Sequence, residues 1–188
     1  MKMNAKSLAA LSLTCLMLVQ ATGMAAVTCG SENAAEDETT PSADFADNGD
    51  GTITHNTTGL VWMRCSLGQS WSGTSCTGTA SAITWQQALN TVADVNSGVS
   101  DADGDGQPGF AYRTDWRLPQ KRELESIVER HCWSPAINAM PFPGTPSSWF
   151  WSSSPYDQNP DYAWAVYFRS GASGPGIKTF PSRVRLVR

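Results

Sequence analysis

An α+β fold is predicted by the order of the patterns along this 188-residue chain. Short apolar runs between turn clusters come first, two helix-like stretches follow, and strand-like segments come last, with no internal repeat. The first strands are expected at residues 52–54 and 60–64, because Asn- and Gly-rich turn sequences bound them. The last are expected in "SWFWSSS" (148–154), "YAWAVYF" (162–168) and "SRVRLVR" (182–188), of which the latter two alternate clearly.

The first helix is expected to begin after Thr84, which has capping-box spacing to Gln87. One face of the following stretch repeats every three to four residues, and Gly98 is a stop signal. This face consists of Trp85, Ala88, Leu89, Val92 and Asn96.

The second helix is expected at about residues 120–131. Its inner face repeats at helical spacing. Pro119 lacks a backbone N–H and holds the preceding residue in an extended conformation, so the chain switches from strand to helix there. Glu123 stands where its carboxylate can reach the free amides of the first turn. The inner face consists of Leu124, Ile127, Val128 and His131.

The residues Trp116 and Arg117 directly precede this switch and admit two interpretations. Arg117 could clamp an anion in a catalytic site, or the "WRLP" junction could lock the helix onto a sheet. No neighbouring residue supplies a nucleophile or a general base. We therefore predict a structural role for Trp116, Arg117 and Pro119, and no catalytic residues.

The N-terminal residues are predicted to direct export. Residues 1–26 have a short basic start, an apolar core at 8–19 and small residues before a cleavage site after Ala26, which is typical of a signal peptide. Lipidation at a cysteine is the less favoured alternative, because no good lipobox precedes one. Residues 27–44 form a polar acidic arm, and residues 45–188 form one domain. No other stretch is apolar enough to span a membrane, so we expect a secreted, periplasmic or cell-surface protein.

The charge distribution argues against nucleic acid as a partner. Removal of the leader takes away Lys2 and Lys6 and moves the formal net charge from −4 to −6. Residues 32–50 are rich in acids, whereas no acid follows Asp161. Several bases share this acid-free stretch and are the candidate ligand-binding residues for sulfate or carboxylate groups. They are Arg169, Lys178, Arg183 and Arg185.

Arg183 and Arg185 alternate with apolar residues and are expected on one strand face. Two interpretations of this face stay open. It could be exposed to a polyanion, or it could pair with the acidic arm of the same molecule.

The four cysteines outside the leader suggest two disulfides, with three pairings possible. Cys65–Cys76 would close a short loop rich in Gly and Ser that bends easily. Cys29–Cys132 would then tie the acidic arm to the end of the second helix. A zinc site is disfavoured, because there is no C-x-x-C motif.

A calcium site is the only cofactor that the sequence suggests. Asp101, Asp103 and Asp105 stand at alternate positions before a glycine, a spacing found in oxygen-ligated calcium loops. The twelfth position of the loop is Tyr112 rather than a bidentate acid, so an EF-hand is not indicated. The alternative is a solvated acidic turn.

Seven motifs occur in order: "DNGDGTITHNTTGLVWMRC", "TWQQAL", "DWRLPQKRELESIV", "PAINAMPFP", "FWSSSP", "AWAVYF" and "VRLVR". Together they resemble the Lcl C-terminal domain family, over about residues 45–188. The resemblance implies a C-type-lectin-like fold with two helices flanking twisted antiparallel sheets and with the N- and C-terminal strands close together. It also implies an exported bacterial protein, and adhesion to glycans or glycosaminoglycans is known for the namesake.

These expectations combine into a non-catalytic binding module at the cell exterior, with an acidic or sulfated glycan, or a protein, as ligand. One alternative is an enzyme of the formylglycine-generating branch of this fold. Such enzymes need a dedicated cysteine or copper centre, whereas each cysteine here has a plausible disulfide partner. The other alternative is a structural envelope component without a soluble ligand.

Overall fold

The computed structural model describes residue 29 and residues 38–97, 110–111 and 113–188. Two helices and three small antiparallel sheets make up these parts, so the α+β class is as predicted. None of the helices within the described ranges has the length and apolar character needed to cross a bilayer.

The first sheet contains β1 (Phe45–Asp47), β2 (Thr52–His55) and β3 (Leu60–Met63) in that order. The tight turn between β1 and β2 is stabilised by carboxylates that accept backbone N–H groups two residues on, Asp47 from Gly49 and Asp50 from Thr52. β3 continues the sheet to the C-terminal residues, because Val61 and Arg188 exchange backbone hydrogen bonds. The two ends of the domain therefore belong to one sheet, with β2 and β3 between them.

A small hairpin begins inside the loop closed by the Cys65–Cys76 disulfide and ends just beyond it. It consists of β4 (Gln69–Trp71) and β5 (Cys76–Gly78), where the sequence indicated only a loop that bends easily. The Cys29–Cys132 disulfide is also present, so both expected bridges form.

The third sheet is the centre of the molecule. It contains β6 (Trp149–Pro155), β7 (Tyr162–Tyr167) and β8 (Ala172–Ile177), paired antiparallel in that order. Helix α1 (Trp85–Ser97) packs on one face and helix α2 (Lys121–Glu125) on the other. The sheet thus separates two apolar clusters.

The two clusters follow from the alternation of side chains along the strands. On the α1 side the strands contribute Trp151, Ala163 and Ala165. On the α2 side they contribute Phe150, Val166 and Phe168. Burial on both faces explains why the centre of β7 carries no polar side chain.

Helix α2 is shorter than predicted, because the helix ends at Glu125 instead of continuing to residue 131. Ser126 ends the helix by donating its backbone N–H to two carbonyls and its hydroxyl to the carbonyl of Glu123. The apolar residues after this point still enter the α2-side cluster, but from turns. Apolar spacing alone predicted the burial correctly and the helical conformation wrongly.

The C-terminal segment 182–188 does not form the regular strand that was predicted. It makes isolated bridges to several neighbours and runs between the two clusters. Val184 and Leu186 enter the α1-side cluster as the alternation predicts, but Val187 enters the other. Both faces of the segment are consequently buried.

This burial places Arg185 inside the protein and not on the open strand face that was one of its two interpretations, since its side chain is 0% exposed. Its guanidinium donates to the carbonyls of Met63 and Arg64 and to the hydroxyl of Thr145, and it lies over the ring of Phe142. Burial lowers the pKa of Arg185 to about 9, which leaves it cationic at neutral pH. No ion pair forms between Arg185 and a carboxylate among the described residues.

The acidic arm is held by Glu129, which is fully buried. Its carboxylate accepts hydrogen bonds from the backbone N–H and hydroxyl groups of Thr39 and Thr40, and from the backbone N–H of His131. Desolvation opposes ionisation, but the hydrogen bonds outweigh it and lower the pKa of Glu129. The end of the arm is therefore attached non-covalently here, in addition to the bond through Cys29.

Replacement of Arg185 by alanine should lower the free energy of unfolding by about 3–5 kcal/mol, because it opens a cavity and leaves buried carbonyls without donors. Urea denaturation followed by circular dichroism measures this. The exposed Arg169→Ala variant is the control and should change stability by less than about 0.5 kcal/mol. An unchanged unfolding midpoint for Arg185→Ala would contradict the assignment.

Glu129→Gln should lower stability near neutral pH by about 2 kcal/mol, since hydrogen bonds to a charged acceptor are lost. Because the folded pKa of Glu129 is lowered, its contribution is complete above the unfolded value of 4.5 and is lost as pH falls through the folded pKa. The difference between wild type and variant should therefore shrink in acid. Denaturation curves at neutral and acidic pH test this, and a constant difference would count against it.

Candidate binding site

An aromatic groove opens on the α1 side of the central sheet, along β6 and β8. Its volume is about 370 Å³. Of the residues that line it, none carries a formal charge. They are Trp149, Trp151, Tyr162, Ala165, Pro175, Gly176, Ile177, Phe180, Pro181 and Ser182.

The two tryptophans of the groove share one face of β6 but differ in exposure. Trp151 is buried, and its indole N–H donates to the carbonyl of Ile83 at 2.9 Å, which fixes the ring as a wall. Trp149 is 38% exposed and stacks on Tyr167, with 4.8 Å between centroids and 14° between planes. The Trp149 ring is therefore held in place while part of its surface stays open to a ligand.

Glycines in β8 allow this strand to approach both indole rings. A Cβ atom on Gly176 would lie 2.8 Å from Cζ3 of Trp151, closer than van der Waals contact permits. A Cβ on Gly174 would lie 3.3 Å from Cη2 of Trp149, which is also tight. The sequence "SGPG" thus leaves room for the rings beside the strand.

Phe180 forms the outer rim of the groove and is 63% exposed. It follows a turn in which its backbone N–H donates to the carbonyl of Ile177. An aromatic side chain this exposed, beside a partly exposed tryptophan, indicates an interaction site rather than core packing.

The polar groups of the groove are few. Among the described residues, no hydrogen-bond partner is found for the indole N–H of Trp149. Ser182 is a further lining residue with a polar side chain, whereas alternation along β7 places the Tyr162 side chain with Trp164 on the α2 side. The arrangement can therefore stack against an apolar ligand face and offer it a few hydrogen bonds, but it supplies no general base or formal charge.

The four basic residues predicted to bind a ligand do not form one face. Arg169 is exposed, with its guanidinium 5.8 Å from the ring centre of Trp133. Lys178 donates to the carbonyl of Pro160 and lies 4.4 Å from the ring centre of Trp85.

Arg183 donates to the carbonyl of Ala80. Arg185 is buried and donates to Met63, Arg64 and Thr145. The segment that carries both arginines lies inside the protein, so Arg185 does not contribute to an exposed strand face. A joint cationic surface formed by these two residues is therefore excluded.

The "WRLP" junction brings its residues into contact with the helix and the central sheet. Trp116 is buried, and its indole N–H donates to the carbonyl of Phe110. Arg117 forms a two-point ion pair with Glu123 at 2.6 and 2.7 Å. The carbonyl of Pro119 accepts hydrogen bonds from Ser153 of β6.

The ion pair shifts the pKa values of both residues. The hydrogen bond from Arg117 lowers the pKa of Glu123, and the same bond raises the pKa of Arg117. Glu123 also accepts the backbone N–H of Gln120, which completes a capping box at the start of α2. The charged groups of Arg117 and Glu123 therefore bond to each other and to the start of α2.

The predicted calcium ligands Asp101, Asp103 and Asp105 lie outside the described residues. Within the parts that the structure describes, no group of three or more His, Cys, Asp or Glu side chains is arranged to hold a metal ion. Calcium binding at the aspartates remains a prediction.

The groove itself was not predicted from the sequence. The signal that could have found it is the pairing of "WFW" in β6 with "GPG" in β8. Alternate tryptophans share a strand face, and alternate glycines on a nearby strand leave space over that face.

Comparison with known families agrees with the resemblance noted in the sequence. The family model described as the Lcl C-terminal domain matches residues 51–188. The match covers all of the central sheet, both helices and the groove. Comparison with curated proteins gives no match.

Proposed function

The chain belongs to the Lcl C-terminal domain family, and from this premise we propose that it is a non-catalytic binding module whose ligand, an extracellular glycan, occupies the aromatic groove. The observation that carries the proposal is the open indole of Trp149, held by Tyr167 beside the exposed Phe180. Fixed aromatic rings with apolar surface and a few polar groups are typical of ligand sites.

The proposed location is the cell exterior or the periplasm, reached through the predicted signal peptide at 1–26. Two disulfides support it, because such bonds persist in oxidising compartments. The proposed fold relationship is C-type-lectin-like. Helices on opposite faces of the central sheet and chain ends within one sheet are consistent with it.

An acidic or sulfated ligand has less support than it had from the sequence, because Arg185 is buried and Lys178 and Arg183 engage carbonyls. A protein ligand is the second candidate, and the exposed Phe180 favours a protein as much as a glycan. The formylglycine-generating alternative needs a dedicated cysteine or copper centre, whereas all four cysteines outside the leader are bonded in disulfides. A structural envelope role would leave the groove without any ligand.

Replacement of Trp149 by alanine should weaken glycan binding at least about tenfold, because the main stacking surface is removed. A glycan array identifies the ligand, and isothermal titration calorimetry measures the affinities. Trp133→Ala is the matched control, since Trp133 is 53% exposed but does not line the groove. Equal loss in both variants, or a silent array, would reject the proposal.

Calcium binding by Asp101, Asp103 and Asp105 should appear as one site in calorimetric titration of chelator-stripped protein, and Asp103→Ala should abolish it. The groove is lined by no carboxylate, so glycan binding there should not need calcium. No heat and no change in melting temperature at millimolar calcium would reject the site.

A further inference from the structure

We propose that the aromatic groove selects an uncharged glycan built of equatorially substituted pyranose rings, such as a β-linked gluco-configured chain. This inference rests on the proposed function and states the ligand class of the same site. It follows from the charge, the ring geometry and the strand edge at the groove.

The lack of charged lining residues makes the groove unfavourable for an acidic ligand. None of the lining residues is ionisable at neutral pH. The nearby cations Lys178 and Arg183 do not line the groove, because Lys178 donates to the carbonyl of Pro160 and Arg183 to that of Ala80. A sulfate or carboxylate placed in the groove would lose water without gaining a counter-charge, which is unfavourable.

The ring geometry favours a flat apolar ligand face. Tyr167 covers one side of the Trp149 indole and does not line the groove, so a remaining part of that indole surface meets the ligand. Aromatic faces carry partial negative charge and attract the weakly positive C–H groups of a sugar ring. A pyranose with equatorial substituents presents several such C–H groups on one face, whereas an axial hydroxyl interrupts that face.

The polar groups of the groove suit a hydroxyl-rich ligand that needs only a few hydrogen bonds. The indole N–H of Trp149, which has no partner among the described residues, can donate to one sugar hydroxyl, and Ser182 adds a second polar side chain to the lining. Affinity then comes mainly from apolar contact and should depend little on salt.

The edge of the sheet argues against an extended peptide as the occupant. β8 is an edge strand, and a peptide could add to it only through a row of free backbone N–H and C=O groups. Pro175 stands near its middle, between two glycines, and lacks the N–H. This interruption blocks strand addition beside the groove.

The test titrates the full-length protein with four uncharged or charged oligosaccharides: a β-1,4-glucan, its N-acetylated counterpart, a galactan with axial hydroxyls, and heparin. We expect binding of one or both gluco-configured chains, changed less than about twofold between ~0.05 and ~0.5 M salt. Trp149→Ala should weaken this binding at least about tenfold, and Trp149→Phe should have an intermediate effect because a smaller ring remains.

Matched variants make each outcome decisive. Trp133→Ala and Arg169→Ala should leave the affinity unchanged, with all variants checked by thermal melting. Trp149-dependent binding of heparin or of the axial galactan would overturn the ligand class but leave the proposed function intact. A proline-rich peptide is titrated in the same way to represent a protein ligand. Trp149-dependent binding of this peptide would overturn the glycan in both proposals. Failure to bind any of these ligands, together with a silent array, would overturn both proposals.

Discussion

The burial of the C-terminal segment between two apolar clusters is the constraint on which the rest of the structure depends. A segment buried on both faces cannot leave a charged side chain unbonded, and Arg185 satisfies this condition with carbonyls at the end of β3 and with Thr145. One guanidinium thereby joins the last residues, the first sheet and the loop before β6. Because its partners are neutral oxygens, the charge stays uncompensated, and burial lowers its pKa without removing its proton at neutral pH.

The groove is a consequence of how the same central sheet is covered. Helix α1 and the C-terminal segment bury Trp151 on one face, but the cover ends before Trp149. Glycines in β8 then let the strand lie against the rings instead of pushing them apart. The exposed aromatic surface thus arises where the core of the protein reaches its edge, so the proposed ligand would extend the packing of the sheet.

The sequence predicted much of the fold and little of the site, and particular residues show why. Local patterns found β2, β3, β7 and the start of each helix, because alternation and capping are short-range properties. Helix α2 ended early, since Ser126 and Glu129 use their polar groups in contacts that apolar spacing cannot reveal. The position of Arg185 depends on which strands lie on both sides of its segment, which is a property of the tertiary fold. The groove likewise joins residues of β6 and β8 that only strand pairing brings together.

The Cys29–Cys132 bond also determines how the protein would respond to mechanical load. β1 is the edge of its sheet, and a pull on it would separate hydrogen bonds one at a time. The bond attaches the chain at Cys29 to a buried cysteine seven residues beyond Glu125, the end of α2. Tension applied before Cys29 is therefore transmitted covalently to the middle of the domain and bypasses both β1 and the hydrogen bonds at Glu129. A pull on Cys29 is thus borne by a covalent bond and does not load the edge strand of the first sheet.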